Sequence, residues 1–183
     1  MPRQVSAEPV ARAAPARAFR RTLRLGLCAS LLALQSGTAR AAPTAAESIL
    51  GRWLVDDKEA VVEIYPCAAA FCGRIAWLKE PLFPPDDDGG MAGKPKTDRN
   101  NPVAARRTDP ILGSTVLRDL QFTGSGWERG RLYDPETGTT YTCRARLTGA
   151  SRLEIRGYLG FSVLGRTVVW TRLRDMADAA PAD

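Results

Sequence analysis

Asp98, Asp134, Glu154 and the tyrosines are the plausible acid–base groups of this sequence, in which none of the 183 residues is a histidine. The commonest general base and the commonest metal ligand are missing together. Nucleophiles that rely on an imidazole are excluded, and no serine stands in a strand–turn–helix elbow. Asp134 already has a structural task in the turn Tyr133-Asp134-Pro135-Glu136-Thr137-Gly138, where Pro and Gly fall at the positions such turns favour. No catalytic residue and no cofactor are therefore assigned. Asp86-Asp87-Asp88-Gly89 invites a calcium reading, but Gly90 and Thr97 stand where an EF-hand loop needs further oxygen ligands. No metal site is assigned either.

What remains is recognition chemistry. Trp53 and Arg172 lie near the two ends of the strand-rich region. A guanidinium stacked on that indole would tie the first strand to the last and plug one end of a closed barrel. Arg156, Tyr158 and Arg166 cluster late in the chain. They read either as a solvated outer face or, if Arg156 points inward, as a two-pronged clamp for a carboxylate or phosphate. Asp98 and Asn101 precede Pro102. They either fix the local turn or form a polar gate over a barrel mouth. Cys67 and Cys72 flank a four-residue turn between strand-like runs, which suits a disulfide closing a short hairpin, worth about 2 kcal/mol on the chain-entropy model. Cys143 falls on the inward side of its strand pattern and reads as a buried thiol.

These residues must be held by strands. Thr44-Ala45-Ala46-Glu47 is a capping-box pattern leading into Gly51. Strand-like segments follow at 52–56, 60–65, 71–78, 115–122, 127–133, 139–147, 151–158 and 167–173. The sixth alternates most clearly, with Tyr141, Cys143, Ala145 and Leu147 on one face and Thr140, Thr142, Arg144 and Arg146 on the other. Eight short strands with mostly short connections predict an antiparallel meander that closes on itself. One connection is long, 79–113, and rich in proline. Loops of that length are lids, binding loops or disordered segments.

Residues 1–41 read as a cleaved export signal. A basic start is followed by an apolar run, Leu25 to Leu34, and by Ala39-Arg40-Ala41. The run is too short to span a bilayer core of roughly 30 Å as a helix. Removing that segment takes seven arginines and one glutamate from totals of 26 and 20. The remainder carries a formal net charge of zero, so the high pI gives no reason to expect nucleic-acid binding. The expected organisation is a signal at 1–41, one barrel domain at 42–175 and a flexible tail at 176–183. The expected location is periplasmic or secreted, with no transmembrane span.

The motifs taken in order resemble an exported bacterial family catalogued as domain of unknown function 2147. They are Gly51-x-Trp53, Cys72-Gly73-Arg74-Ile75, Asp98-x-x-Asn101-Pro102, Leu112-Gly113, Trp127-x-x-Gly130-x-x-Tyr133-Asp134-Pro135 and Gly138-x-x-Tyr141. Arg156-Gly157-Tyr158-x-Gly160 and Gly165-Arg166-Thr167-x-x-Trp170-Thr171-Arg172 complete the series. The resemblance spans about residues 50–173 and implies an all-β, antiparallel lipocalin-like barrel, without any established activity.

Two binding functions follow as expectations, behind which stands a carboxylate-based hydrolase or isomerase. In the first, the barrel holds a small apolar or amphipathic, lipid-like ligand inside. Ile64, Ile75, Trp77, Tyr141, Leu153 and Ile155 would line the interior, and Arg156, Tyr158, Asp98 and Asn101 would supply polar contacts. In the second, side chains fill the barrel, and an envelope protein docks on the 79–113 loop through exposed groups such as Phe83.

Overall fold

The computed structural model describes residues 44–160 and 165–179. The expected export signal and the end of the expected tail lie outside the described residues. Eight antiparallel strands run in chain order: β1 (Gly51–Leu54), β2 (Ala60–Cys67), β3 (Ala70–Leu78), β4 (Thr115–Phe122), β5 (Trp127–Asp134), β6 (Thr139–Leu147), β7 (Arg152–Tyr158) and β8 (Arg166–Arg172). Each pairs with its sequence neighbour, and β1 pairs with β8, so the sheet is a closed barrel. Closure removes every free strand edge.

Alternation sets the two faces. On β6, Cys143 and Ala145 are buried, whereas Thr140, Thr142, Arg144 and Arg146 are exposed. Across the ladder Cys143 faces Gly157, Ala145 faces Ile155, and Leu153 faces Trp170. The period of two breaks between Val61 and Val62 on β2, and again on β4 and β5. Asp119 and Arg129 adopt left-handed backbone conformations, with φ of 58° and 61°. Each inserts a bulge residue, so Leu117 and Leu120 on β4 are both buried, as are Trp127 and Gly130 on β5. The extra residue restores the inward face after one step that a flat strand would send outward.

The 3-10 turn Ala46–Ile49 closes one end of the barrel. The Thr44 amide donates to Glu47 Oε2 at 2.9 Å, and the Glu47 amide donates back to Thr44 Oγ1 at 3.3 Å. That is the reciprocal capping box the sequence implies. Trp53 is fully buried behind this turn and donates its indole N–H to the Ile49 carbonyl at 2.8 Å. The Arg172 guanidinium lies 4.1 Å from the Trp53 ring centroid. It also donates to the carbonyls of Leu50, Ser48 and Ala150. One cation thus caps the indole face and satisfies three backbone acceptors where the first and last strands meet.

Cys67 and Cys72 form the expected disulfide, with Cα atoms 5.8 Å apart. Cys143 is free and buried, and burial pushes its thiol up to about 12. It is a packing residue without thiolate reactivity at neutral pH.

The long connection is ordered. Two isolated bridges, Leu82 with Pro95 and Thr97 with Pro110, fold it back on itself, and a 3-10 turn spans Ala104–Arg106. It has a small core of its own. Phe83 is 7% exposed and carries the Arg99 guanidinium 3.9 Å from its ring centroid. This corrects the expectation of Phe83 as an exposed docking group: the arginine covers it. Asp87 accepts from Arg99 at 2.7 Å and from the Met91 amide at 3.0 Å. Those bonds, the Met91 amide first, hold its carboxyl below the usual carboxylate range. The aspartate run is therefore a loop fastener, and among the described residues no acidic, cysteine or histidine cluster has metal-binding geometry.

Candidate functional site

The strands of the barrel wall pack closely around its middle. A Cβ added to Gly130 would stand 2.6 Å from both Cys143 Sγ and Leu120 Cδ1. One added to Gly73 would stand 2.8 Å from Val62 Cγ1 and 3.1 Å from Leu117 Cβ. At both positions the flanking strands, β4 and β6 beside Gly130 and β2 and β4 beside Gly73, pack too closely to admit even a methyl group, and the glycines permit that approach. Ile64, Ile75, Leu153 and Ile155, expected to line a ligand cavity, are buried in this core.

A large cleft lies outside the barrel. It has a volume of about 610 Å³ and is walled by the 98–114 stretch of the long connection on one side and by β4, β5 and β6 on the other. Asp98 and Asn101 form its base and are both buried. Asp98 Oδ1 accepts the Tyr133 hydroxyl at 2.7 Å, and Oδ2 accepts the Asn101 amide at 2.6 Å. Asn101 Oδ1 accepts the Val103 amide at 2.9 Å, and the Asn101 carbonyl accepts Arg107 Nε at 2.9 Å. The Asp98 amide donates to the Asp109 carbonyl at 2.9 Å. Every polar atom of the pair thus ties the loop to itself or to β5, and no buried side-chain polar atom among the described residues lacks a partner. A second tether is Asn100 Nδ2, which donates to the Glu136 carbonyl at 2.7 Å.

Apolar and cationic groups complete the walls. Pro102, Val103, Pro110 and Leu112 stand on the loop side, and Arg118, Arg131, Tyr133 and Thr140 on the sheet side. Val103 and Leu112 are two of four exposed large hydrophobic residues among those described. An open space bounded by apolar rims and arginines can hold an amphipathic molecule.

The residues singled out from sequence separate into distinct places. Asp98 and Asn101 belong to the cleft. Tyr141 lies on the inward face of β6, half-buried, and packs against Gly157. Trp77 is half-buried opposite Val61, beside a register shift, and outside the central core. Arg156 and Tyr158 take the outer face of β7. Arg156 is paired with Arg144 in the ladder and donates to Thr167 Oγ1 at 3.2 Å, so it is no clamp inside the barrel. Tyr133, Arg118 and Arg131 carry much of the cleft's chemistry and were not among the sequence candidates. Their convergence depends on the β4–β5 register and on where the loop folds back.

Tyr133 gives the cleft a measurable pH signature. Burial first, then the hydrogen bond and negative charge of Asp98, push its hydroxyl up to about 12. An unfolded tyrosine ionises near pH 10. The folded-state value is the higher, so this stabilisation is fully present below about pH 10 and is lost as pH rises towards about 12. The Cys143 thiol contributes with the same sign in an overlapping window. Urea midpoints measured across that range should therefore fall more steeply for the native protein than for Tyr133→Phe. Equal slopes would mean that the hydroxyl is not held as described.

No curated protein matches the chain. Among solved structures, the protein HP1028 from the human pathogen Helicobacter pylori, which belongs to the lipocalin family, is similar. It is 24% identical, the match covers 70% of this chain and 84% of that one, and the TM-score is 0.57. That likeness concerns the fold, and the closed eight-stranded barrel agrees with it. Residues 51–172 match the family described as "Uncharacterized protein conserved in bacteria (DUF2147)", and with barrel and sequence in agreement the chain belongs to that family.

Proposed function

We propose that this protein is an exported small-molecule binder whose ligand sits in the external cleft, beneath the 98–114 stretch, and not in the barrel. The carrying observation is the contrast in packing. Inside the barrel Leu117, Leu120, Leu153 and Ile155 are all but fully buried in one apolar cluster, whereas the cleft offers about 610 Å³ beside two exposed hydrophobic side chains. Pockets of that size suit small ligands. The Cys67–Cys72 disulfide is consistent with the oxidising compartment that export would provide.

Amide NMR with a neutral apolar dye tests this reading. Saturable shifts should concentrate on Val103, Leu112 and Tyr133, and Val103→Ser with Leu112→Ser should weaken binding while leaving the melting temperature within a few degrees. Shifts centred on Tyr141, Ile155 and Val168 would return the ligand to the barrel and sink the proposal.

A second reading has one observation in its favour. Leu82, Val103 and Leu112, all on the long connection, are three of the four exposed large hydrophobics among the described residues. A protein partner would use the same ridge. Its contact would include Leu82, which does not line the cleft, so Leu82→Ser separates the two readings.

A further inference from the structure

The outer surface of the barrel sets opposite charges across neighbouring strands at three register pairs. Arg74 lies opposite Glu63 and bonds it at 2.7 Å, Arg52 also faces Glu63, and Arg146 faces Glu154. Two register pairs break this habit, Arg144 with Arg156 and Arg118 with Arg131, and the second pair lines the large cleft. Arg118 on β4 and Arg131 on β5 are both exposed. Like charges directly opposite on an antiparallel pair are unfavourable. Among the described residues, neither guanidinium has a hydrogen bond or ion pair.

The acids in the cleft do not neutralise them. Asp98 spends its oxygens on Tyr133 and Asn101. Asp109 lies 3.4 Å from Arg106 Nε. The Tyr133 hydroxyl already donates to Asp98 and has no proton left for a ligand. The donors facing the open space are therefore the two arginines of the sheet wall, the Thr140 hydroxyl beside them and, on the loop side, the Arg106 guanidinium, which Asp109 engages only through Nε. Pro102, Val103, Pro110 and Leu112 supply an apolar wall opposite.

We infer that Arg118 and Arg131 clamp the head group of an amphipathic oxyanion, a carboxylate or phosphate carrying a short apolar chain. Two planar guanidinium forks match the oxygens of either group and relieve their own repulsion by sharing its charge. The apolar chain lies along Val103 and Leu112. This rests on the cleft being the ligand site.

Calorimetry and amide NMR with decanoate, decyl phosphate, decyltrimethylammonium and inorganic phosphate test it. At least one of the two decyl anions should bind, shift the amides of Arg118, Arg131 and Leu112, and lose affinity as salt is raised. Their relative affinities decide between a carboxylate and a phosphate head. Inorganic phosphate should bind more weakly than decyl phosphate, and the ammonium should not saturate. Arg118→Gln with Arg131→Gln should weaken the decyl anion by about tenfold or more, as expected for charge-assisted bonds. Both side chains are exposed, so the melting temperature should hold. Arg131→Lys keeps the charge without the fork and should fall between. If cation and anion bind the cleft alike, and the double Gln variant binds as well as the native protein, the clamp is wrong while the cleft reading stands. If no probe moves any cleft amide, both fail.

Discussion

Trp53→Ala is expected to destabilise the fold by about 3–5 kcal/mol, the range for truncating a fully buried aromatic side chain. Trp53 has no exposed surface and sits at the seam where β1 meets β8, directly opposite Arg172. Its removal opens a cavity behind the closing 3-10 turn. It also leaves the Ile49 carbonyl without its 2.8 Å donor and strips the Arg172 guanidinium of the ring on which it stacks. The guanidinium would keep its bonds to Leu50, Ser48 and Ala150, so the seam should loosen before it parts. Trp53→Phe preserves most of the packing and loses the indole N–H, and should cost about 1–3 kcal/mol. Urea unfolding of the three proteins measures both steps. A loss under about 1 kcal/mol for Trp53→Ala would mean that the indole is not a plug and would reopen its reading as a ligand contact.

The elements that this sequence made legible are those fixed by local chemistry. Thr44 and Glu47 announce their capping box by type and spacing. Tyr141, Cys143, Ala145 and Leu147 announce an inward face because no bulge interrupts β6. The hairpin disulfide follows from two cysteines on either side of a turn. Trp53 and Arg172 could be coupled because a closed meander must bring its first strand to its last. What stayed hidden depends on register. Asp119 and Arg129 each add one residue to a strand, so simple alternation puts Leu117 and Leu120 on opposite faces although both are buried. Arg118 and Arg131 become neighbours only once the β4–β5 pairing is known. Phe83 looked available because a proline-rich loop is usually solvated, and only the folded loop shows Arg99 lying over its ring. Asp98 and Asn101 were noticed, but their partner Tyr133 lies 35 residues from Asp98 along the chain, beyond any local pattern.

Gly130→Ala is expected to destabilise the barrel by about 1–3 kcal/mol, the usual penalty for overpacking a well-filled core. The new methyl would meet Cys143 Sγ and Leu120 Cδ1 at 2.6 Å, and both neighbours are fully buried with little freedom to withdraw. Gly73→Ala should behave similarly, since Val62 and Leu117 crowd it in the same way. The origin of the penalty can be checked by relief. Cys143→Ala removes one of the two offending atoms, so combining it with Gly130→Ala should recover part of the loss and give a favourable coupling in a double-mutant cycle. Neighbours free to rotate would absorb one methyl, at a cost below about 0.5 kcal/mol and without coupling. The equilibrium unfolding of four proteins thus decides whether β4, β5 and β6 meet at Gly130 as closely as described. A large penalty with relief fixes Leu120 and Cys143 against the glycine and makes the inward face of this wall rigid. A small one means that the two side chains give way and that the wall is softer than its packing implies.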